Sequence, residues 1–288
     1  MIWAELDAHL DKVPGTVSAY VGRPGAPPAW TRLPDATHYA ASTMKVAVLV
    51  ALHRAAEAGR LDLDTPIPVV NEFDSALPGA PRFGCDRDYD NDEAVWERVG
   101  GTAPPRWLAE RMIVRSSNLA TNIVLGLVGL PAVAQAWTLG GARHSATGRG
   151  IEDFAAREAG ITNPVTAADL AALLGAVALG AHRPGPLASP AGCAAMLDVL
   201  CAQEFREDIA SGLPEGTRIA HKNGWVRGVR HGAGVVFPDD APPYVIVVCT
   251  TTDLADGGPS GDEVEDDACR LIADVSARVW AARHDLPG

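Results

Sequence analysis

Residues 42–52 read STMKVAVLVAL, and the lysine is the only charge among them. An apolar run of this length is typical of a buried helix. In a helix Ser42 and Lys45 lie one turn apart on the same face, so that an amine stands beside a hydroxyl. Burial lowers the pKa of a lysine, and a neutral amine can take the proton of a nearby serine and make its oxygen a nucleophile. The alternative is a serine that caps the helix and a lysine whose amine reaches solvent.

Two more polar motifs follow along the chain. Ser116-Ser117-Asn118 lies where two helical patterns meet, within residues 105–130. His221-Lys222-Asn223-Gly224-Trp225 precedes strand-like sequence near the C-terminus. The order of motifs is therefore S-x-x-K, S-x-N and K-x-G.

Strand patterns occur near both ends of the chain, and helical patterns fill the middle. A helix is expected from about Trp3 to Val13. A last amphipathic helix, Asp262 to Arg283, places its apolar side chains, Val264 among them, on one stripe. The predicted strands are residues 16–21, 29–32, 218–221, 232–237 and 244–251.

The motif set resembles the serine β-lactamase and penicillin-binding protein superfamily, whose class A members carry S-x-x-K, S-D-N and K-T-G. The chain is most similar to class A-related serine hydrolases, from about Val17 to the last helix. The resemblance implies an α/β (α+β) fold in which an antiparallel sheet is flanked by terminal helices and carries an inserted all-helical lobe. We expect one domain, residues 1–288. Its α/β lobe would comprise residues 1–60 and 206–288, and its helical lobe residues 61–205.

The resemblance also implies catalytic roles. Ser42 is expected to be the nucleophile that becomes acylated, and Lys45 to move its proton. Ser116 is expected to relay a proton to the leaving group. Lys222 is expected to present a second positive charge at the cleft.

Substrate-binding roles follow from the same resemblance. Asn118 is expected to hold a substrate amide, and Gly224 to let a ligand approach the edge strand closely. The backbone N–H groups of Ser42 and Trp225 would form the oxyanion hole. For Ser116 and Asn118 the alternative is an ordinary helix cap.

The chain departs from the family pattern at two motif positions. Asn223 replaces the threonine of K-T-G with a longer amide, which can alter how a substrate carboxylate is held, and Ser117 replaces the aspartate of S-D-N. Arg227 and Arg230 follow the K-x-G motif, and either could supply a cation that binds a carboxylate. We prefer Arg230, and the alternative is an exposed strand arginine without a role.

The chain has no E-x-x-L-N, the motif whose glutamate activates the deacylating water in class A β-lactamases. At a comparable distance after the S-x-N motif stands Arg149-Gly150-Ile151-Glu152-Asp153. We select Glu152 as the base by its position and by the arginine three residues before it. The alternative is a loop carboxylate paired with Arg149 or Arg157. Asp153 and Glu158 are further candidates for the base, which we rank below Glu152.

Composition restricts the partners. The 288 residues are 47% hydrophobic, which suffices for a large core, and the net charge is −12. No lysine or arginine run could follow a phosphate backbone, and no apolar stretch reaches the ~20 residues of a membrane span, so we expect neither nucleic acid nor membrane as partner. The acidic segments Asp86–Glu93 and Gly261–Asp267 are typical of solvated surface, and no Cys/His cluster has ligand spacing. We therefore expect no metal and no cofactor.

Cysteine usage and the N-terminal sequence predict a location. The five cysteines are odd in number and form no C-x-x-C pair, which favours reduced thiols. The first residues combine two acids with an amphipathic pattern and lack the basic and apolar regions of a signal peptide. We expect a cytoplasmic protein.

Three functions stay open. The first is hydrolysis of a β-lactam or related amide through a Ser42 acyl-enzyme. The second is a cytosolic peptidase, esterase or biosynthetic acyltransferase that acts on another small amide or ester. The third is a non-catalytic penicillin-binding-type module that uses the cleft without turnover. The complete set of catalytic side chains argues against the third function. The missing E-x-x-L-N and the missing export signal weaken the first.

Overall fold

The structure is a computed structural model that describes residues 2–256 and 266–288. The helices are α1 (Ile2–Leu10), α2 (Lys45–Glu57), α3 (Glu93–Trp96), α4 (Pro105–Val114), α5 (Asn118–Val128), α6 (Leu130–Leu139), α7 (Phe154–Glu158), α8 (Ala167–Gly180), α9 (Pro190–Cys201) and α10 (Asp267–Ala281). The strands are β1 (Thr16–Gly22), β2 (Pro28–Arg32), β3 (His38–Tyr39), β4 (Ile67–Pro68), β5 (Thr102–Ala103), β6 (Pro164–Val165), β7 (Arg218–Val226), β8 (Val229–Phe237) and β9 (Tyr244–Thr251).

Five strands form an antiparallel sheet in the order β2-β1-β9-β8-β7. Alternate side chains along each strand enter two separate cores. On one face Val235 and Val247 pack with the helices from the middle of the chain. On the other face Val236 and Ile246 pack with α1 and α10. This arrangement confirms the predicted fold, a sheet flanked by terminal helices with an inserted helical part.

Helix α2 runs through the larger core, where it contacts α4, α5, α6 and α9. Its residues from Lys45 to Leu52 are all essentially inaccessible to solvent. A helix that is apolar on every side gains free energy only when it is covered on every side, which is why this run lies at the centre. Lys45 is consequently buried at the beginning of the helix.

The observed elements differ from the predicted ones mainly at their ends. Helix α1 ends at Leu10 rather than Val13. Strand β7 continues to Val226, through the K-x-G motif, because its last residue pairs with Val229 across a two-residue turn. The predicted beginning of the last helix, with Val264 and most of the acidic segment 261–267, lies outside the described residues. The division into lobes at about residues 60 and 205 stays a prediction.

No single helix in residues 2–256 and 266–288 is long and apolar enough to cross a membrane. Helices α5 and α6, which meet at 90°, pass the same length and composition test only as a bent pair.

Candidate active site

Ser42 lies in a 3₁₀ turn, Ala41–Met44, that leads directly into α2. Ala41 has φ 45°, a left-handed conformation that costs a non-glycine residue about 1–2 kcal/mol. Just before this residue, the N–H of Ala40 donates to the carbonyl of Asn163 at 2.8 Å and anchors the beginning of the turn. The turn places Ser42, half-buried, in the wall of a cleft of about 730 Å³.

The amine of Lys45 is held by the S-x-N motif. Its Nζ donates to the carbonyl of Ser116 at 2.7 Å, to Ser116 Oγ at 3.2 Å and to Asn118 Oδ1 at 3.1 Å. The residue is 0% exposed, so the alternative of a lysine that reaches solvent is wrong. Burial lowers the pKa of Lys45 to about 8, against the opposing charge of Asp90. The amine can therefore lose its proton close to neutral pH.

The S-x-N motif forms the junction between α4 and α5. Ser116 has φ 56° and lines the cleft together with Asn118. The helix cap is Ser117, whose Oγ accepts from the N–H of Ala120 at 3.1 Å. The alternative in which Ser116 and Asn118 cap the helix is therefore wrong. Ser116 and Asn118 instead direct their polar atoms to Lys45.

Lys222 is fully buried behind the cleft wall and is not among the lining residues. Its Nζ donates to Asn223 Oδ1 at 2.7 Å and to the Asn223 carbonyl at 3.1 Å. Burial and the nearby charge of Lys45 lower the pKa of Lys222 well below its usual value, and Asp208 opposes this effect. The amide that replaces the K-T-G threonine thus folds back onto the neighbouring lysine, while Asn223 still lines the cleft.

Gly224 is required by a close approach of two backbones. A Cβ at this position would lie 2.8 Å from the Ala40 carbonyl oxygen and 3.1 Å from the Thr43 nitrogen. The expected reason, a ligand that passes close to the strand, is corrected here, because Gly224 does not line the cleft and faces the turn that carries Ser42. The next residue, Trp225, does line the cleft.

Glu152 lies in the same cleft as Ser42. It has φ 64°, and its Oε2 accepts from the N–H of Asp86 at 2.8 Å. Burial raises the pKa of Glu152, and the negative charges of Asp86 and Asp90 contribute to the rise. The second oxygen, Oε1, is buried and has no hydrogen-bond partner within the described part of the chain.

No ion pair joins Glu152 to Arg149 or Arg157 in the residues that the structure describes. Arg149 instead donates to the carbonyls of Gly150 and Ile161 and to the hydroxyl of Tyr39. The alternative of an arginine-paired loop carboxylate is therefore wrong.

Arg230 does not reach the cleft. Its side chain is 0% exposed, forms an ion pair with Asp266 at 2.6 Å and donates to the carbonyl of Val226 at 2.8 Å. Residues of β8 alternate between the two faces of the sheet, and Arg230 lies on the face covered by α10. Both expectations, a carboxylate-binding cation and an exposed arginine, are corrected. Arg227, in the turn after β7, lines the cleft instead.

Sequence reasoning missed residues 85–90, which we call the 85–90 strap. Cys85 Sγ accepts from the amide of Asn122 at 3.1 Å, and the carbonyl of Tyr89 accepts from the amide of Asn118 at 3.1 Å. The strap also supplies the N–H that binds Glu152. Its acidic composition is typical of solvated surface, and nothing in its spacing from the motifs indicates that it lies beside them.

All five cysteines, each within the described residues, are free thiols. In residues 2–256 and 266–288 no three His, Cys, Asp or Glu side chains are grouped so that they could hold a metal.

Solved structures share this fold over almost the entire chain. A β-lactamase from Sphaerobacter thermophilus DSM 20745 is 25% identical with a TM-score of 0.74, over 99% of this chain and 98% of that one. A mutant of PBP-A, an acyl-enzyme complex with penicillin G, is 22% identical with a TM-score of 0.76, over 99% and 97%. An ancestral class A β-lactamase (GNCA) is 21% identical with a TM-score of 0.76, over 98% and 100%.

No curated protein matches the chain. The sequence model described as the Beta-lactamase enzyme family matches residues 1–282, almost the full length. With three ordered motifs around one cleft and this match, the chain belongs to the beta-lactamase enzyme family.

Proposed function

We propose that the protein is a serine hydrolase that works through an acyl-enzyme on Ser42 and opens a β-lactam or a related small amide. The observation that carries this proposal is the buried amine of Lys45. It has a pKa of about 8 and is hydrogen-bonded to Ser116, which lines the same cleft as Ser42. A basic amine and a serine hydroxyl at one cleft are the components that nucleophilic catalysis needs.

In the acylation step, Ser42 Oγ attacks the carbonyl carbon of the substrate, and its proton moves to the neutral amine of Lys45. The backbone N–H groups of Ser42 and Trp225 stabilise the oxyanion. The C–N bond then breaks, and the leaving nitrogen receives a proton through Ser116, whose Oγ lies 3.2 Å from Lys45 Nζ. Since the neutral amine is the reactive form, acylation accelerates as the pH rises towards about 8.

In the deacylation step, Glu152 takes a proton from water while the water oxygen attacks the ester carbonyl. The bond between the carbonyl carbon and Ser42 Oγ then breaks, Ser42 Oγ takes up a proton that Glu152 returns, and the product leaves as the free acid. Its half-buried position in the cleft and its unpaired Oε1 support this role. The raised pKa makes Glu152 a stronger base than an exposed glutamate.

Asn118 and Asn223 are proposed to hold polar groups of the substrate, because both line the cleft beside Ser42. The PBP-A mutant that forms an acyl-enzyme with penicillin G shares the fold, which supports penicillin as a first probe.

A second candidate keeps the acyl-enzyme but changes the substrate to another small amide or ester, as in a peptidase, esterase or acyltransferase. Two observations favour it. The amine of Lys222 is buried and donates to Asn223, and Arg230 lies away from the cleft. Neither cation is therefore available to the carboxylate that β-lactams carry, and Arg227 is the arginine after the K-x-G motif that lines the cleft. The cytoplasmic location that would suit such an enzyme stays a prediction.

Intact-protein mass spectrometry after incubation with penicillin G, a cephalosporin and an activated ester tests the proposal. The wild type is expected to gain one adduct, and Ser42→Ala to gain none. Ser211→Ala, which removes the same hydroxyl from an exposed turn, is the matched control and should be acylated like the wild type. An adduct that persists on Ser42→Ala contradicts the nucleophile assignment. A short-lived penicillin adduct supports the first candidate, and rapid turnover of the ester alone supports the second.

A further inference from the structure

Asp90, the last residue of the 85–90 strap, contacts the N-terminus of α5 with its side-chain carboxylate. Its Oδ2 accepts from the N–H of Leu119 at 2.8 Å and from Ser117 Oγ at 3.1 Å, and its Oδ1 accepts from the N–H of Asp92 at 3.1 Å. A negative charge at a helix N-terminus is stabilised by the unpaired N–H groups there. Asp90 therefore ties the 85–90 strap to the turn that holds Ser116.

Asp90 supplies a carboxylate at the turn where the S-x-N motif of this chain lacks one. The related pattern S-D-N has a carboxylate in the middle of this turn, whereas this chain has Ser117, whose hydroxyl caps α5 and also donates to Asp90. A carboxylate is thus present at the turn, although it comes from a segment 27 residues earlier.

We propose that Asp90 is a positioning residue of the active site and that its carboxylate takes the place of the aspartate that Ser117 replaces. Asp90 does not line the cleft. It acts through the turn, whose Ser116 and Asn118 oxygens hold the amine of Lys45. This inference rests on the function proposed above.

The charges around Lys45 support the inference. Within the described residues, the groups that act on its ammonium are the carboxylates of Asp90 and Glu152, the thiol of Cys85 and the ammonium of Lys222. Asp90 has the largest effect among those that favour the charged amine. Removal of its charge should therefore lower the pKa of Lys45 further. If Asp90 only anchored the turn, the loss of its charge would leave the pKa of Lys45 unchanged.

The experiment titrates Lys45 directly in the complete protein. The chain has only three lysines, Lys12, Lys45 and Lys222, so a sample with ¹³C in the lysine ε-position gives three separate NMR signals. The exposed Lys12 serves as internal reference. Asp90→Asn removes the charge but keeps an oxygen that can accept hydrogen bonds. Asp88→Asn, on the same strap but exposed, removes an equal charge and is the matched control.

The Lys45 signal is expected to titrate at about pH 8 in the wild type and in Asp88→Asn. In Asp90→Asn the midpoint should fall by about half a unit or more. The rise of the Ser42 acylation rate with pH, measured with the activated ester, should shift downwards by the same amount. Equal Lys45 midpoints in the two variants would overturn the inference.

A second variant tests whether a carboxylate at residue 117 can replace that of Asp90. Asp90→Asn combined with Ser117→Asp places the carboxylate where the S-D-N pattern has it. We expect this double variant to bring the Lys45 midpoint, and any loss in Tm of Asp90→Asn, back towards the wild-type values. If the double variant restores neither the Lys45 midpoint nor the Tm, a carboxylate at residue 117 cannot replace that of Asp90, and the inference is contradicted. The titration needs no substrate, so a wild type that no probe acylates would reject the proposed function and still leave the role of Asp90 measurable.

Discussion

Two of the three lysines are fully buried, and their partners explain how each is accommodated. A buried ammonium is costly unless acceptors replace its water shell. Lys45 has three acceptor oxygens from the S-x-N turn, whereas Lys222 has two, both from Asn223. Burial lowers the pKa of both amines, and that of Lys45 falls to about 8. Lys45 can therefore change its charge close to neutral pH.

At the level of a single residue, Glu152→Gln tests the deacylation step. The amide keeps the shape of the side chain but cannot take a proton from water, so acylation should proceed normally while the adduct lives about 10²–10⁴ times longer. The adduct mass is followed over time after the unreacted penicillin is removed. Glu158→Gln, an exposed glutamate at the end of α7, is the matched control and should leave the lifetime unchanged. An adduct as short-lived in Glu152→Gln as in the wild type rejects Glu152 as the base.

At the scale of elements, the site depends on how closely β7 passes the 3₁₀ turn before α2. The strand contacts this turn along its motif, so Trp225 and Ser42 line one cleft although 183 residues separate them. The approach is possible only because residue 224 has no side chain.

Gly224→Ala should disturb both stability and acylation. Its Cβ would lie 2.8 Å from a backbone oxygen, so either the strand or the turn must move. We expect a loss of about 1–3 kcal/mol in the free energy of unfolding and a slower acylation of Ser42. Urea unfolding and the rate of ester acylation measure the two effects.

The matched control is Gly126→Ala in α5, where no heavy atom lies within 4 Å of the added Cβ. It should be neutral or stabilise the protein by up to about 1 kcal/mol. Equal stability of Gly224→Ala and the wild type would show that the backbones are not in close contact.

At the scale of the whole molecule, buried histidines connect stability to pH, and His38, His221 and His231 have the largest effects. Burial lowers the pKa of His38 and His231 to about 4 and that of His221 to about 3. The unfolded chain binds these protons near pH 6.5, whereas the folded protein binds them only near pH 4 or below. Because the unfolded state holds more protons between these values, stability falls as the pH decreases from about 6.5 to 4. Asp208, whose pKa burial raises to about 7, acts in the opposite direction and offsets part of the loss.

His38→Gln isolates one histidine of this group. His38 Nε2 is hydrogen-bonded to Ser18 Oγ and its Nδ1 to Thr251 Oγ1, each at 2.8 Å. Its share of the acid sensitivity is on the order of 3 kcal/mol at most. Urea unfolding at pH 6.5 and pH 4.5 should show a smaller loss of stability in His38→Gln than in the wild type. The exposed His182→Gln should behave like the wild type, and an unchanged loss in His38→Gln would contradict the assignment.

The central helix and the order of the motifs are evident in the amino-acid sequence, and the fold follows from the resemblance that these motifs carry. The run from Met44 to Leu52 has no polar face, so burial follows from the hydrophobic effect alone. The junction of two helices at the S-x-N motif is also visible in the sequence, because residues that favour helix caps stand between two helical patterns, but the structure shows that the cap is Ser117 rather than Ser116 or Asn118. These features depend on neighbours in the chain, which the sequence shows directly.

The contacts between distant segments around the cleft are visible only in the folded chain. It assigned Arg230 to the far face of the sheet, because one step along β8 reverses the direction of a side chain. It also brought Asp90 to the turn at Ser117 and the N–H of Asp86 to Glu152. Such contacts depend on how distant segments pack against a shared core, and no periodicity or spacing in the chain records that packing.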